Sequence, residues 1–396
     1  MEIKTQKCPY AKKCGGCQMD GRSYQDYLAE KERWINELLA KEAKNLFDGR
    51  IHLTGMQDPY HYRYKCNAAF GWKKDGTVLA GSYMEKTHQI CDRDDCLIEN
   101  KKADEIVVEV KKLLPSFKIK VYNEDTGYGW FRHTMVRVSR ATGKVMLILV
   151  AVDSVFPSKN NFVKALLKKF PEMETVILNV NEKQTNMVLG DRNITLYGPG
   201  FIEDTLCGLK FRISPGDFFQ VNPVMTEQIY ETAKKFAKLK STDTILDAYC
   251  GIGTIGLTAA SKVANVIGVE LNKDAIRDAK KNAQRNKINN ARFFAGDAGD
   301  FITELAEDEE TPLDVVFLDP PRSGTTEEFV KAIQVKKPSR VVYVSCNPET
   351  LSRDLTLFHK IGYVTKQMQA FDQFPFTGHV EAVVLLSTKS QTDIST

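Results

Sequence analysis

Apolar and polar residues follow different patterns in three successive stretches of the chain. Over residues 23–44, apolar residues recur every three to four positions among charged ones, which predicts an amphipathic helix. Residues 51 to about 215 mostly show the short alternation that is typical of strands and turns. From about residue 226, helical and strand patterns alternate, which predicts a parallel, doubly wound sheet.

Individual segments make these expectations specific. In the middle stretch, residues 134–140 and 144–151 flank a short turn and predict a hairpin, and residues 176–181 and 186–189 predict a second pair of strands. In the last stretch the predicted order is helix 227–239, strand 244–247, helix 256–261, strand 266–270 and helix 273–286. We therefore expect an α/β protein in which a β-rich domain over residues 1–215 precedes a Rossmann-like domain over residues 216–396.

Composition narrows the class of protein. The chain has 396 residues, of which 42% are hydrophobic and 27% charged, as in an ordinary globular protein of two or three domains. Its apolar runs fall short of the ~18 residues that span a bilayer, and its first four residues lack the apolar core of a signal peptide. We expect a cytoplasmic protein that does not associate with membranes.

The net charge of +4 conceals an uneven distribution. Residues 1–100 carry 16 basic and 15 acidic side chains, residues 101–240 carry 22 and 15, and residues 241–396 carry 17 and 21. The excess of seven positive charges in the middle indicates a surface for a polyanion, although an ordinary solvated lysine surface gives the same count. Arg132 and His133 lie in this basic stretch and are candidate RNA contacts.

The chain has more cysteines than disulfide bonding can explain, because disulfides are rare in a reducing compartment. Nine are present, and Cys8, Cys14 and Cys17 fall within ten residues, the last two separated by two glycines. Thiolates at such spacing suit zinc or an iron–sulfur cluster, and spacing alone does not choose between these metals. Candidates for the fourth ligand are Cys66, Cys91 and Cys96.

A glycine-rich turn follows the predicted strand 244–247. Gly251 and Gly253 let the backbone approach a ligand at the carboxyl end of that strand. Glu270 ends the next strand and can accept both hydrogen bonds of a ribose diol, while Asp297 follows the third strand and can contact an adenine edge. No basic residue accompanies the turn to bind a phosphate, which favours S-adenosylmethionine over a dinucleotide, with redox chemistry as the alternative.

Three later segments place candidate reactive residues at the ends of predicted strands. Asp319 follows the apolar strand 315–317, Cys346 follows the strand 341–344, and Glu381 precedes the strand 382–386. A cysteine at a strand end in a nucleoside-binding fold can serve as a nucleophile, and a nearby glutamate can serve as a base. Each residue also has a purely structural interpretation: a small buried thiol, a surface carboxylate and a helix start.

These segments resemble those of the RNA uracil-5-methyltransferases, which methylate carbon 5 of uridines in bacterial ribosomal RNA or in transfer RNA. The matching segments are residues 218–222, 319–324, 341–350 and 372–381. The N-terminal cysteines resemble those of the branch that acts on 23S ribosomal RNA and holds a four-iron, four-sulfur cluster. The resemblance extends over nearly the whole chain.

The resemblance implies a role for each matching residue. Cys346 would add to carbon 6 of the uracil and Glu381 would remove the proton at carbon 5. The positions that would bind the cofactor are Gln220, Tyr249, Thr254, Glu270, Asp297 and Asp319. Cys96, which precedes apolar residues as the fourth ligand of that branch does, would join Cys8, Cys14 and Cys17 around the cluster. Many members begin with an extra RNA-binding TRAM barrel, which we do not expect here because Cys8 lies near the start of the sequence.

We therefore expect an S-adenosylmethionine-dependent enzyme that methylates a uridine of 23S ribosomal RNA and needs no obligate protein partner. Methylation of uridine 54 in transfer RNA is the alternative within the family. A methyltransferase acting on an amino group is a second alternative, although Arg322 stands where those enzymes usually place an aromatic residue. A catalytically inactive, metal-stabilised RNA-binding protein is the alternative outside enzymes. Phe218, Phe219 and Phe374 are candidates for stacking on the RNA base.

Overall fold

The structure is a computed structural model that describes residues 4–42, 46–47, 49–85, 87–184 and 187–388. The helices are α1 (Tyr24–Glu42), α2 (Lys101–Ser116), α3 (Lys159–Lys169), α4 (Pro223–Ala237), α5 (Thr254–Ala259), α6 (Lys273–Arg285), α7 (Ala298–Glu307), α8 (Glu327–Lys336) and α9 (Pro348–Lys360). The strands are β1 (Leu53–Thr54), β2 (Lys65–Trp72), β3 (Val78–Tyr83), β4 (Ile90–Asp92), β5 (Phe131–Val138), β6 (Val145–Ala151), β7 (Met173–Val180), β8 (Arg192–Tyr197), β9 (Ile202–Leu206), β10 (Leu209–Ile213), β11 (Thr244–Ala248), β12 (Asn265–Glu270), β13 (Ala291–Ala295), β14 (Val315–Leu318), β15 (Arg340–Ser345), β16 (Tyr363–Phe371) and β17 (Glu381–Thr388).

The C-terminal half is built on a sheet with the strand order β1-β16-β17-β15-β14-β11-β12-β13. Its strands β11 to β15 pair in parallel, whereas β17 runs antiparallel to both β15 and β16. All four residues of β14 are buried apolar side chains, as expected for a parallel strand covered by helices on both faces. The alternation predicted from residue 226 is confirmed as a Rossmann-like α/β architecture.

Helix caps fix where the helices begin relative to the candidate site residues. Asn222 accepts a backbone N–H at the start of α4, and Asn347 does the same at the start of α9. Proline follows each of these caps, where its missing N–H costs nothing. The caps end the segments that hold Gln220 and Cys346, so both residues lie just outside a helix N-terminus.

The middle of the chain forms a second sheet with the strand order β4-β3-β2-β5-β6-β7-β8. The predicted hairpin around residues 141–143 is confirmed as β5 and β6. The predicted strand 186–189 is wrong for residues 187–189, which form no strand, and Asn186 lies outside the described residues. Instead β8 begins at Arg192, and helices α2 and α3 occupy positions where mostly strands were expected.

N-terminal residues lie against the C-terminal sheet. The predicted first helix is confirmed as α1, which contacts α9, while β1 pairs in parallel with β16 at the edge of the sheet. Lys44, its expected last residue, lies outside the described residues. The domain boundary at residues 215/216 stays a prediction. Within the described ranges, no helix combines the length and apolar character needed to cross a membrane.

Candidate active site

The glycine-rich turn after β11 adopts a left-handed backbone at three positions. Tyr249, Gly251 and Gly253 have φ values of 63°, 54° and 84°, and α5 starts at the next residue, Thr254. A β-carbon on Gly251 would meet no atom within 4 Å, so the turn needs this glycine for its conformation rather than for space. The space beside Gly251 at the carboxyl end of β11 is therefore open.

Glu270 holds this turn in place. Its carboxylate accepts the Gly251 N–H at 3.2 Å and the Asn272 N–H at 2.9 Å. An ionised carboxylate offers about four acceptor positions, so oxygen lone pairs remain for a ligand. Asp297 is also engaged, since its side chain accepts the backbone N–H groups of Gly299 and Asp300 at the start of α7. Both predicted acids therefore lie at the ends of neighbouring strands in fixed orientations.

Three further predicted cofactor-binding residues lie near the same end of the sheet, and each has a polar contact with another side chain. The Thr254 hydroxyl lies 2.8 Å from that of Tyr230, and the Tyr249 hydroxyl lies 3.5 Å from that of Thr325. Gln220 is half-buried, and its side-chain oxygen accepts a hydrogen bond of 3.2 Å from Gln373. These contacts come from segments on either side of the turn, which is where a nucleoside cofactor would lie.

Asp247 is a buried acid at this edge that the sequence did not single out. It lies between Leu246 and Ala248 inside β11, and its carboxylate accepts the Gly256 N–H at 2.7 Å. Burial raises the pKa of Asp247 to about 7. Its second oxygen is buried with no partner among the described residues. An acid inside an otherwise apolar strand was the signal available in the sequence.

Strand register brings Cys346 and Glu381 together. Ser345 at the end of β15 pairs with Ala382 of β17, so Cys346, which follows Ser345, and Glu381, which precedes Ala382, lie on the same side of the end of this ladder. Leu318 of β14 pairs with Tyr343 of β15, so Asp319 reaches the same edge from the adjacent strand. The three predicted reactive residues are therefore neighbours at one sheet edge.

The electrostatics of this edge favour neutral side chains in the free protein. Burial, together with the Glu381 and Asp319 carboxyls, raises the pKa of the Cys346 thiol to about 11. Burial and then Asp319 hold the pKa of Glu381 well above its ordinary value, and burial raises the pKa of Asp319 to about 7. A cation that binds beside such buried, neutral carboxyl groups lowers their pKa and favours loss of their protons.

Arg322 follows Asp319 and faces the same edge, where the sequence did not assign it a role. Its carbonyl accepts hydrogen bonds from Asn347 and Thr350 at the start of α9, which ties its loop to the segment of Cys346. Its exposed guanidinium lies 3.5 Å from the His379 ring and lowers the pKa of the Cys346 thiol. This is a solvent-facing positive charge beside the candidate nucleophile, where a phosphate of a nucleic acid could lie.

The N-terminal cysteines lie around a cavity of about 200 Å³. Its lining includes Cys8, Cys14, Cys17 and Cys96. Burial and Glu99 raise the pKa of Cys96 to about 12, which a bound metal ion would reverse. Among the described residues, no three cysteine, histidine or acidic side chains are arranged closely enough to hold a metal. Thiols are the donors that an iron–sulfur cluster needs, so the residue types fit. Their side chains, however, are not close enough to one another to coordinate one metal ion together.

The other candidate ligands differ in environment. Cys66 is fully buried in β2 and directs its thiol to the Arg63 carbonyl at 3.1 Å. Cys91 is buried in β4. Burial raises the pKa of its thiol, and the neighbouring Cys14 raises it further. Cys91 therefore lies near the cluster of cysteines without lining the cavity that Cys96 lines.

Comparison with known proteins gives the family. The tRNA (Uracil-5-)-methyltransferase family model matches residues 201–389. The chain is 40% identical to an uncharacterized RNA methyltransferase of Bacillus cereus over 97% of its own length and 83% of the relative's. It is likewise 40% identical to one of Clostridium acetobutylicum, over 96% and 82%. The chain belongs to the RNA uracil-5-methyltransferase family. It is therefore an S-adenosylmethionine-dependent enzyme that modifies RNA.

A solved structure is similar over nearly the whole methyltransferase. The tRNA (uracil-54, C5)-methyltransferase of Pyrococcus abyssi, solved in complex with S-adenosyl-L-homocysteine, has a TM-score of 0.76 and 27% sequence identity to it. The alignment covers 96% of this chain and 87% of that chain. The similarity therefore extends beyond the Rossmann-like half into the central sheet.

The structure corrects two expected RNA contacts of this methyltransferase. Arg132 is buried, and its guanidinium binds Glu124 and the backbone carbonyls of Asn181 and Lys183. His133 is also buried, which lowers its pKa to about 4 and keeps it neutral. The prediction that these two residues contact RNA is wrong, because both side chains are buried inside the protein.

The three phenylalanines proposed as stacking partners differ in exposure. Phe218 is 62% exposed and lies two residues before Gln220. Phe219 is buried and packs against Phe211 at 6.2 Å between ring centroids. Phe374 is half-buried beside the His379 ring. Phe218 thus has the free ring face that base stacking needs, whereas Phe219 belongs to the core.

Proposed function

We propose that the enzyme methylates carbon 5 of a uridine through a covalent adduct between the Cys346 sulfur and carbon 6. The observation that carries this proposal is that Cys346 follows Ser345 and Glu381 precedes its paired residue Ala382, so that the Glu381 carboxyl acts on the Cys346 thiol. Carbon 5 of uracil is a poor nucleophile, and addition of a thiolate at carbon 6 makes it an enolate carbon. Covalent catalysis of this kind divides one difficult step into two easier ones.

Each residue then has one task in a balanced sequence. The Cys346 thiolate forms a bond to carbon 6, and the electron pair of the C5–C6 bond moves toward carbon 5. Bound S-adenosylmethionine would supply a sulfonium methyl group. Carbon 5 would take this methyl group as the sulfur–methyl bond breaks, with the bonding electron pair staying on the sulfur of the departing S-adenosylhomocysteine. The Glu381 carboxylate removes the proton from carbon 5, the C5–C6 double bond reforms, and the carbon–sulfur bond to Cys346 breaks. The target base must leave its stack to reach both groups.

The proposed cofactor site consists of the residues around the turn after β11. Glu270 would accept the ribose hydroxyls, Asp297 would lie at the adenine, and Gln220, Tyr249, Thr254 and Asp319 would complete the site. Support comes from the fixed orientation of Glu270 and from the open backbone at Gly251. The neutralising effect of a bound cation would favour the ionised forms of Asp319 and Glu381.

A Cys346→Ala variant tests the nucleophile. We expect methyl transfer to RNA to be abolished while the affinity for S-adenosylmethionine stays within about twofold, because no cofactor contact is assigned to the thiol. Radiolabelled methyl transfer and isothermal titration calorimetry measure the two quantities. Full methyl transfer by this variant would eliminate the proposed adduct, and methyl groups found on amino nitrogens would favour the alternative chemistry.

We propose 23S ribosomal RNA as the substrate, on the strength of the N-terminal cysteine pattern. Transfer RNA is the second candidate, because the similar structure from Pyrococcus abyssi is a tRNA (uracil-54, C5)-methyltransferase. Mapping 5-methyluridine in total RNA from a strain that lacks the gene distinguishes them. Loss of a ribosomal site supports the first proposal, and loss confined to position 54 of transfer RNA supports the second.

We propose that Cys8, Cys14, Cys17 and Cys96 hold a four-iron, four-sulfur cluster in a reducing, cytoplasmic setting. The support is the single cavity that these four thiols line and the free state of all nine cysteines. Protein purified without oxygen should be brown and contain about four iron and four sulfide per chain. Cys96→Ser should lose the colour and Cys91→Ser should keep it. A colourless protein with one zinc would show that the metal is a different one.

A further inference from the structure

The segment that precedes Glu381 leaves β16 and enters β17 without regular structure. We name residues 372–379 the pre-base loop, because their end lies two residues before the proposed base. Asp372 at its start is fully buried, and Phe376 in its middle has a left-handed φ of 62°. A loop with a buried acid and a left-handed apolar residue keeps its shape only where its surroundings hold it.

Lys31 of α1 holds both ends of this loop. Its ammonium nitrogen lies 2.5 Å from the Asp372 Oδ1, 3.0 Å from the Phe374 carbonyl oxygen and 2.8 Å from the His379 carbonyl oxygen. An ammonium group has three N–H donors, and each of these has an acceptor in the loop. One side chain therefore joins the start of the pre-base loop to its end.

Burial keeps Lys31 and Asp372 in contact, because neither side chain can replace its partner with water. The Lys31 side chain is 7% exposed and the Asp372 side chain is fully buried. A buried lysine is retained only where its charge and donors are satisfied, so Lys31 cannot turn away to solvent without leaving the buried Asp372 carboxylate without its cation. Tyr24, about two helical turns earlier on α1, donates to the other oxygen of Asp372 at 2.7 Å. Helix α1 thus presents two side chains to a loop more than 340 residues away in sequence.

We propose that Lys31 is a positioning residue for Glu381, acting through the pre-base loop. The proposal rests on the proposed function, in which Glu381 removes the carbon-5 proton. A base works only within hydrogen-bond reach of its proton, and a displacement of about 1 Å can lower a rate on the order of a hundredfold. Lys31 fixes the His379 carbonyl, which sets where the chain enters β17 and hence where Glu381 stands.

The decisive comparison is between Lys31→Met and Lys41→Met, which removes an exposed lysine from the same helix. Lys41 is 81% exposed and pairs only with its neighbour Glu42 in the contacts described for it. For Lys31→Met we expect kcat to fall about 10- to 100-fold with KM for RNA and for S-adenosylmethionine within about twofold. Lys41→Met should keep the wild-type kcat.

Two further readouts separate positioning from loss of structure. Slow proton removal should leave the methylated RNA attached to Cys346, so Lys31→Met should accumulate a covalent complex on a denaturing gel. It should also show a larger deuterium isotope effect on kcat than wild type when the RNA carries 5-deuteriouridine. A lower kcat without either change would make Lys31 a structural residue and overturn the proposal.

The double variant Lys31→Met/Asp372→Asn covers the case in which the single variant does not fold. It removes the buried charge pair and keeps an acceptor for Tyr24, while the loop carbonyls still lose their donor. It should reproduce the covalent complex and the isotope effect, and if neither variant folds the proposal is wrong. If Glu381→Gln traps an adduct and the Lys31 variants do not, the inference alone fails. If Glu381→Gln traps none, the proposed function fails.

Discussion

The pH dependence of Cys346 reactivity follows from the burial of its thiol. Burial and two neighbouring carboxyls raise the pKa of Cys346 from 9.0 to about 11. At pH 8 about one thiol in a thousand is then ionised, roughly a hundredfold fewer than at an ordinary pKa. Since the thiolate is the reactive form, alkylation by iodoacetamide should speed up tenfold per pH unit from pH 7 to 10 and level off only near pH 11.

The assay follows alkylation of the Cys346 peptide by mass spectrometry in protein without RNA. Cys207 is the internal control, because burial also raises its pKa to about 11 and it lies outside the proposed site. S-adenosylmethionine, which is positively charged, should shift the Cys346 profile to lower pH, whereas neutral S-adenosylhomocysteine should not. The Cys207 profile should not respond to either compound. A plateau for Cys346 below pH 9 would refute the reasoning.

Two more expectations concern the cofactor and the core. Glu270→Ala should weaken S-adenosylmethionine binding at least about tenfold in a calorimetric titration, because the loss of even one hydrogen bond to a charged group costs roughly 1.5–3 kcal/mol. Unchanged affinity would remove Glu270 from the site. Phe317→Ala should lower the free energy of unfolding by about 3–5 kcal/mol in urea, because its side chain is fully buried in β14; a change below about 1 kcal/mol would contradict that packing.

The sequence predicted the C-terminal half well because its signals are local. Parallel strands covered on both faces appear as short apolar runs, and each run ends at the edge where the site forms. Asp319 and Cys346 follow two such runs, and Glu381 begins the antiparallel strand β17 beside them, so their meeting followed from topology. Their protonation states could not be predicted from the sequence, because the burial of these side chains depends on how the whole chain packs.

The middle of the chain was harder to predict because propensity and packing disagree there. Helix α2 contains Ile106, Val107 and Val110, which are β-branched and suit strands, yet all three are buried against the central sheet. Tertiary packing outweighed the local preference. Lys31 was missed for a different reason: its acceptors lie more than 340 residues away, and a lysine in an amphipathic helix looks like an ordinary solvated residue.

Trapping the adduct tests the central claim most directly. Glu381→Gln keeps the shape of the base and removes its ability to take the carbon-5 proton, so the methylated uridine should stay bonded to the enzyme. Incubated with S-adenosylmethionine and substrate RNA, the variant should give a complex that survives a denaturing gel, with the added mass of methyluridine on the peptide containing Cys346. A variant that binds RNA yet forms no such complex, or one bonded through another cysteine, would contradict the account.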